Sequence, residues 1–309
     1  MRTFIKVIEV WVPTTDRRQL QLADGLFGEY LDFEEQSRQT RFDYDEGLPG
    51  KAWSRAYPQI ITDLTDSYFL RKQHAHQANL TAGIALPIFS GEFLLSVVVF
   101  LCGDKEYDAG AIELWGSDEN DADKLSLVDG YYGSLNLLAR LSRRMSFAKG
   151  VGLPGNVWDY NLPIIINEPA NSPLFLRRGS AENDGVNMAF AMPYIYQHNE
   201  LVLSFLSTID TPIANRFEIW VPERNHTNLF FHSGFCNREK NLLNVYRDKR
   251  VNKNEGILGQ TWLSGCPQIS RDLVKDNLDF DPALKYSSTA FTLPVLDNGL
   301  LRSIVVLYF

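Results

Sequence analysis

Gly47-Leu48-Pro49-Gly50-Lys51-Ala52-Trp53 returns as Gly152-Leu153-Pro154-Gly155-Asn156-Val157-Trp158, and again as Gly256-Ile257-Leu258-Gly259-Gln260-Thr261-Trp262. Gly47 and Gly152 are 105 residues apart, and Gly152 and Gly256 are 104 apart. The stretch reads as a tight turn whose glycines supply backbone freedom, leading into a short helix that packs its tryptophan inward. Gly47, Gly50, Trp53, Gly152, Gly155, Trp158, Gly256, Gly259 and Trp262 are thus expected to form a structural repeat that serves shape before chemistry.

One seven-residue coincidence does not define a fold, so other landmarks must keep the same step. Glu9-Val10-Trp11, Glu113-Leu114-Trp115 and Glu218-Ile219-Trp220 do, and so do Gly25, Gly130 and Gly234. Downstream, Pro58, Pro163 and Pro267 each open a mostly apolar run, and Pro87, Pro193 and Pro294 centre a second one. Ordered landmarks in three copies divide the chain into units at 1–105, 106–210 and 211–309.

The 309 residues are 45% apolar and 12% aromatic, with 30 basic against 38 acidic side chains and a net charge of −8. An acidic surface without basic runs disfavours nucleic acid and anionic membrane as partners. Met1 to Val12 alternates apolar with polar and charged residues and lacks the apolar block of a signal peptide, and no window holds the roughly 18 apolar residues of a membrane span. Cys102, Cys236 and Cys266 fall at non-equivalent places in the units, which fits reduced thiols and a cytoplasmic location.

Within unit one, Phe4 to Val12 and Leu20 to Phe27 read as an antiparallel hairpin, and Glu29 to Arg41 as a helix with one buried side. Strands are expected over Pro58 to Leu64, Gly83 to Phe89 and Phe93 to Leu101, with a loop or irregular helix over Thr65 to Leu80. The last strand is nearly all apolar, so it belongs in the middle of its sheet with cover on both faces. The fold class is α+β: three units, each an antiparallel sheet of five or six strands with helices and loops on its faces.

Phe33-Glu34-Glu35-Gln36-Ser37-Arg38, the glycine stretch, Pro58-Gln59-Ile60-Ile61-Thr62-Asp63 and the closing Pro87-Ile88 hairpin together resemble the GAF domain, a small-molecule sensing module of bacterial signalling proteins. The resemblance is to the subgroup with a GLPGxxW turn, and covers most of unit one, the later two-thirds of unit two and part of unit three. It implies a sensor or signalling module. Relatives usually carry helices before the first strand and after the last that cover the back of the sheet. Unit one begins at its strand and unit three stops in its last, so the three backs are expected to bury against one another in a pseudo-threefold cluster, or against a second copy in a homodimer. A sharper expectation is circular: each closing strand hairpins with the opening strand of the next unit, Ser303 to Phe309 returning to Phe4 to Trp11.

The resemblance also places the ligand loop at Thr65 to Leu80, where Tyr68, Arg71, His74 and His76 would line a pocket, with Arg177 at the matching place in unit two. Arg71 and Arg177 suit an anionic group; the plainer reading is a solvated loop arginine. His74 and His76 lack a third metal ligand, and no metal or cofactor is expected. Trp53, Trp158 and Trp262 suit stacking, but packing explains them more simply. Asp63 and Asp272 follow the third strand, whereas unit two has Asn167, so no shared carboxylate chemistry is indicated. Free methionine sulfoxide reductases are similar to GAF domains but use converging cysteines; only Cys236 and Cys266 share a unit, and sulfurs more than about 7 Å apart would argue against that chemistry. The expected function is a non-enzymatic sensor passing its signal to a separate protein. The rival is a ligand-free assembly scaffold, suggested by divergence of the pocket loop while the glycine stretch is kept.

Overall fold

A computed structural model describes residues 3–65, 68–103, 107–117, 121–197, 199–236, 242–276, 278 and 287–309. Unit one runs β1 (Ile5–Pro13), β2 (Gln19–Leu26), α1 (Leu31–Gln39), β3 (Arg41–Asp43), α2 (Gly47–Arg55), β4 (Gln59–Ile61), α3 (Lys72–Gln77), β5 (Ala82–Ser90) and β6 (Phe93–Cys102). Unit two runs β7 (Gly110–Ser117), β8 (Lys124–Tyr131), α4 (Asn136–Ser142), β9 (Ser146–Ala148), α5 (Gly152–Tyr160), β10 (Ile164–Asn167), α6 (Arg178–Asn183), β11 (Val186–Tyr196) and β12 (Asn199–Thr208). Unit three has β13 (Arg216–Pro222), β14 (Asn228–Cys236), α7 (Leu242–Tyr246), β15 (Arg250–Asn252), α8 (Gly256–Ser264), β16 (Gln268–Ser270), β17 (Ala290–Asp297) and β18 (Leu300–Tyr308). Phe280, Asp281 and Pro282, where the third pocket loop was seen to diverge, lie outside the described residues.

Each unit forms one six-stranded antiparallel sheet, in the order β3-β2-β1-β6-β5-β4 and its two equivalents. The three units are thus tandem GAF-like α+β folds. β6 sits between β1 and β5, as its unbroken apolar run requires: Val98 and Phe100 face one side of the sheet, while Val97, Val99 and Leu101 face the other. Three short strands, β3, β9 and β15, lie between the first helix and the glycine stretch, where the sequence had suggested only a connection.

The glycine stretch opens the second helix of each unit. Gly47, Gly152 and Gly256 take φ of +60°, +67° and +57°, a left-handed conformation that favours glycine. Gly50, Gly155 and Gly259 are needed for close approach: a Cβ there would stand 2.2 Å from the Asp43 carbonyl oxygen, 2.1 Å from that of Ala148 and 2.5 Å from that of Lys253. Trp53, Trp158 and Trp262 are half-buried, each packed against its own unit's core, with the Tyr44 ring at 5.3 Å, Lys149 Nζ at 5.3 Å and Lys253 Nζ at 4.6 Å beside them.

The backs of the three sheets meet in one continuous core. Ile8, Val10, Leu86 and Phe100 of unit one join Ile112, Leu114, Phe190 and Phe205 of unit two and Phe217, Phe291, Leu293 and Leu307 of unit three. At its centre the Phe100 ring meets Phe205 at 5.7 Å and Phe291 at 5.8 Å, both edge to face. Neighbouring units touch in the same sense around the ring: β4 on β8, β10 on β14, β16 on β2. The opposite face of each sheet packs under its own helices in a separate core.

Circular strand exchange is corrected. β6 pairs with β1 and β18 with β13, each closing strand returning to its own unit's opening strand. Neighbouring units meet mainly through side chains on the backs of their sheets, and among the described residues no strand ladder passes from one to the next. The ring closes instead at an edge, where Arg271 forks onto Asp24 at 2.8 and 3.0 Å.

Candidate functional site

On the helix side of each sheet a glutamate from the opening strand is wholly buried. Glu9, Glu113 and Glu218 are each 0% exposed. Residues two apart on a strand share a face, so each glutamate faces the same way as the buried tryptophan two positions on. Trp11, Trp115 and Trp220 donate their indole N–H to it at 3.0, 3.2 and 2.9 Å. A carboxylate in such surroundings requires a cation and further donors.

In unit one the cation is Arg71, at the start of α3 and 2% exposed. Its guanidinium forks onto both Glu9 oxygens, with Nη2 to Oε2 at 2.9 Å, and donates to Ser37 Oγ, which in turn donates to the Phe33 carbonyl at 2.7 Å. The rings of Phe33, Trp11, Phe69 and Phe42 lie 4.7, 5.3, 5.4 and 5.6 Å from Arg71 Cζ, a cage of the kind that holds cationic ligands. Unit two repeats this with Arg177, before α6, which forks onto Glu113 and meets Ser142 and the rings of Phe175 and Trp115 at 4.9 and 5.4 Å.

Unit three reaches the same end by other residues. Its arginine is Arg216, on β13 at the position of Val7 and Ala111, and 1% exposed. Arg216 Nε donates to Glu218 Oε1 at 2.8 Å. Tyr246, at the place of Ser37 and Ser142, donates its hydroxyl to the same oxygen at 2.7 Å, and Tyr308 donates to Oε2 at 3.0 Å. Burial and the neighbouring Glu218 charge push the Tyr308 phenol well above its ordinary range.

These contacts revise the sequence expectations for the site. Arg71 and Arg177 are neither solvated nor turned toward an open pocket; buried carboxylates hold them under the sheet. Tyr68 is half-buried at the surface, its ring under Lys51 Nζ at 5.6 Å. His74 is half-buried and His76 exposed, on the outer side of α3. Of the four unit-one candidates only His76 borders the cleft of about 190 Å³ beside Thr65 and Leu80. Among the described residues, no three His, Cys, Asp or Glu side chains converge as metal ligands. Cys236 ends β14 and Cys266 precedes β16, with β13, β18 and β17 between them, so the two thiols do not converge on one pocket.

Sequence reading passed over Glu9, Glu113 and Glu218 as chemistry, although Glu-x-Trp is itself triplicated. An acidic residue in step with a buried tryptophan on an apolar strand was the available signal.

No protein-family model matches the chain, and no curated protein matches it. Solved structures do. A GAF domain from A. aeolicus in an inactive state is 23% identical with a TM-score of 0.27, over 34% of this chain and 62% of that one. A GAF domain/HD domain protein from Geobacter sulfurreducens is 18% identical, TM-score 0.28, over 32% and 63%. The free methionine-R-sulfoxide reductase from Neisseria meningitidis, solved with its substrate, is 17% identical, TM-score 0.26, over 32% and 53%. Each match spans about a third of this chain and less than two thirds of the other.

Proposed function

We propose that this protein is a non-enzymatic interaction and assembly scaffold, built from three sensor-type units whose ligand sites its own side chains occupy. The observation that carries this reading is the arginine–glutamate pair under every sheet: the space for a small molecule already holds a guanidinium, its counter-charge and its aromatic cage. Unit three supports it further, because the arginine comes from a different element and the site is still filled. A sensor would gain nothing from restoring an internal plug by a second route.

In this reading the three-unit ring presents surfaces to a separate signalling protein. Three unpaired cysteines suit the reducing cytoplasm. Native mass spectrometry of the purified chain, with thermal-shift screening against nucleotides, amino acids and organic anions, tests the proposal. The expected result is a bare chain and no ligand bound under any sheet. A stoichiometric small molecule displacing Arg71, Arg177 or Arg216 would restore the sensor reading.

A further inference from the structure

The three junctions between units are alike in backbone and unlike in one side chain. Leu26 pairs across from Ile8, Tyr131 across from Ile112 and Phe235 across from Phe217, the same register in each unit, and all three lie against the shared core. Between units one and two, Tyr131 stacks on Phe4 at a centroid distance of 6.4 Å, its hydroxyl 3.4 Å from Thr81 Oγ1. Between units two and three the position holds the Phe235 ring. Between units three and one it holds only a leucine, and beside Leu26 lies a cleft of about 310 Å³.

We infer that this cleft is a binding site for a small amphipathic molecule with an apolar body and one uncharged hydrogen-bonding head. Ile5, Ile8, Leu26 and Phe309 line it with hydrocarbon, and Ser288 and Thr289 add hydroxyl groups. Its volume is at the lower end of the range for small-molecule sites. Lys6 is the one cation in the lining, and its ammonium is already paired with Asp108 at 3.2 Å, with both side chains largely covered. An anionic head placed there would lie near the Asp108 carboxylate, so a neutral head is favoured. The site is on the back of the sheet, remote from the filled arginine sites, and does not depend on the scaffold reading.

Titration calorimetry with octan-1-ol and octanoate as probes tests it, using the full chain and the variant Leu26→Tyr, which gives unit one the residue of unit two. Octan-1-ol is expected to bind the unaltered chain saturably at one site, octanoate about tenfold more weakly, and Leu26→Tyr, by filling the cleft, to weaken octan-1-ol about tenfold or more while raising the melting temperature. Leu26→Phe, after Phe235, serves if the tyrosine variant does not fold. Backbone hydrogen exchange in the unaltered chain gives a measure free of variants: octan-1-ol should slow exchange at residues 3–8 and 287–309. Equal octan-1-ol affinity in the filled variants, absence of saturable binding, or protection spread evenly over the chain would overturn the site. Octanoate binding as tightly as octan-1-ol would overturn the neutral-head assignment.

Discussion

Replacing Arg71 with alanine removes one half of a buried ion pair and leaves the other. Glu9, 0% exposed, would keep only the Trp11 indole as donor among the contacts described above, and the space inside the cage of Phe33, Phe42, Phe69 and Trp11 would lose its occupant. Breaking a buried pair from one side costs about 3–5 kcal/mol, most of it the stranded charge. For a chain of this size that is a fall in melting temperature on the order of 5–15 °C. The comparison is internal: Arg271→Ala breaks the Arg271–Asp24 pair, whose side chains are 51% and 39% exposed, and should cost less than about 1 kcal/mol. Denaturant titration followed by near-ultraviolet circular dichroism measures both variants. Because the lost group is a guanidinium in an aromatic cage, methylguanidinium added at millimolar concentration should restore part of the stability of Arg71→Ala and none of that of Arg271→Ala. Equal small losses for the two variants, without rescue, would refute the claim that Arg71 plugs a preformed cationic site.

Other consequences follow from the same contacts. Gly50→Ala, Gly155→Ala and Gly259→Ala should each destabilise by about 1–3 kcal/mol, since every added methyl meets a backbone carbonyl, and parallel thermal melts would show it. Arg216→Val, which gives unit three the residue of unit one, should be as damaging as Arg71→Ala despite its different position; a neutral result would show that Tyr246, Tyr308 and Trp220 alone satisfy Glu218. Burial holds the Cys102 thiol far above its usual range, so Ellman's reagent should label Cys236 and Cys266 in the native chain and Cys102 only on unfolding. Raised phenol values at Tyr132, Tyr194 and Tyr308 mean that the folded chain holds those protons more tightly than the unfolded one. Their contribution is therefore complete below about pH 10 and is lost as pH rises beyond it, which stability measured between pH 8 and 12 would reveal.

Much of the architecture is legible in the amino-acid sequence. The triplicated glycine stretch set the unit length, because a left-handed first glycine and a fourth glycine pressed on a carbonyl leave little freedom to drift. The central place of β6 and its need for cover on both faces were legible in its apolar run, while packing of the backs against one another was an expectation from the resemblance. Which strand pairs with β18 was not: hydrophobic pattern places Ser303 to Tyr308 in the middle of a sheet, and does not say whose. The candidate site was half-visible. Arg71 and Arg177 stood out, but a loop arginine defaults to solvent when its partner, Glu9 or Glu113, lies more than 60 positions away and reads as part of a strand. Phe33 and Ser37 were read as part of a motif, and only folding shows that one helical turn aims both at the guanidinium. In unit three, moving the arginine to β13 broke the correspondence by position, although Arg216, Glu218 and Trp220 at alternate places on one strand already marked a shared buried face.

The most direct test of the filled-site account is side-chain nuclear magnetic resonance on the chain labelled with nitrogen-15 at arginine. Three guanidinium groups, assigned by substitution to Arg71, Arg177 and Arg216, should show protected protons that exchange slowly with water and shifts displaced by the surrounding rings. If all arginine side chains exchange rapidly and resonate at solvent-exposed positions, the three sites are open and the account fails.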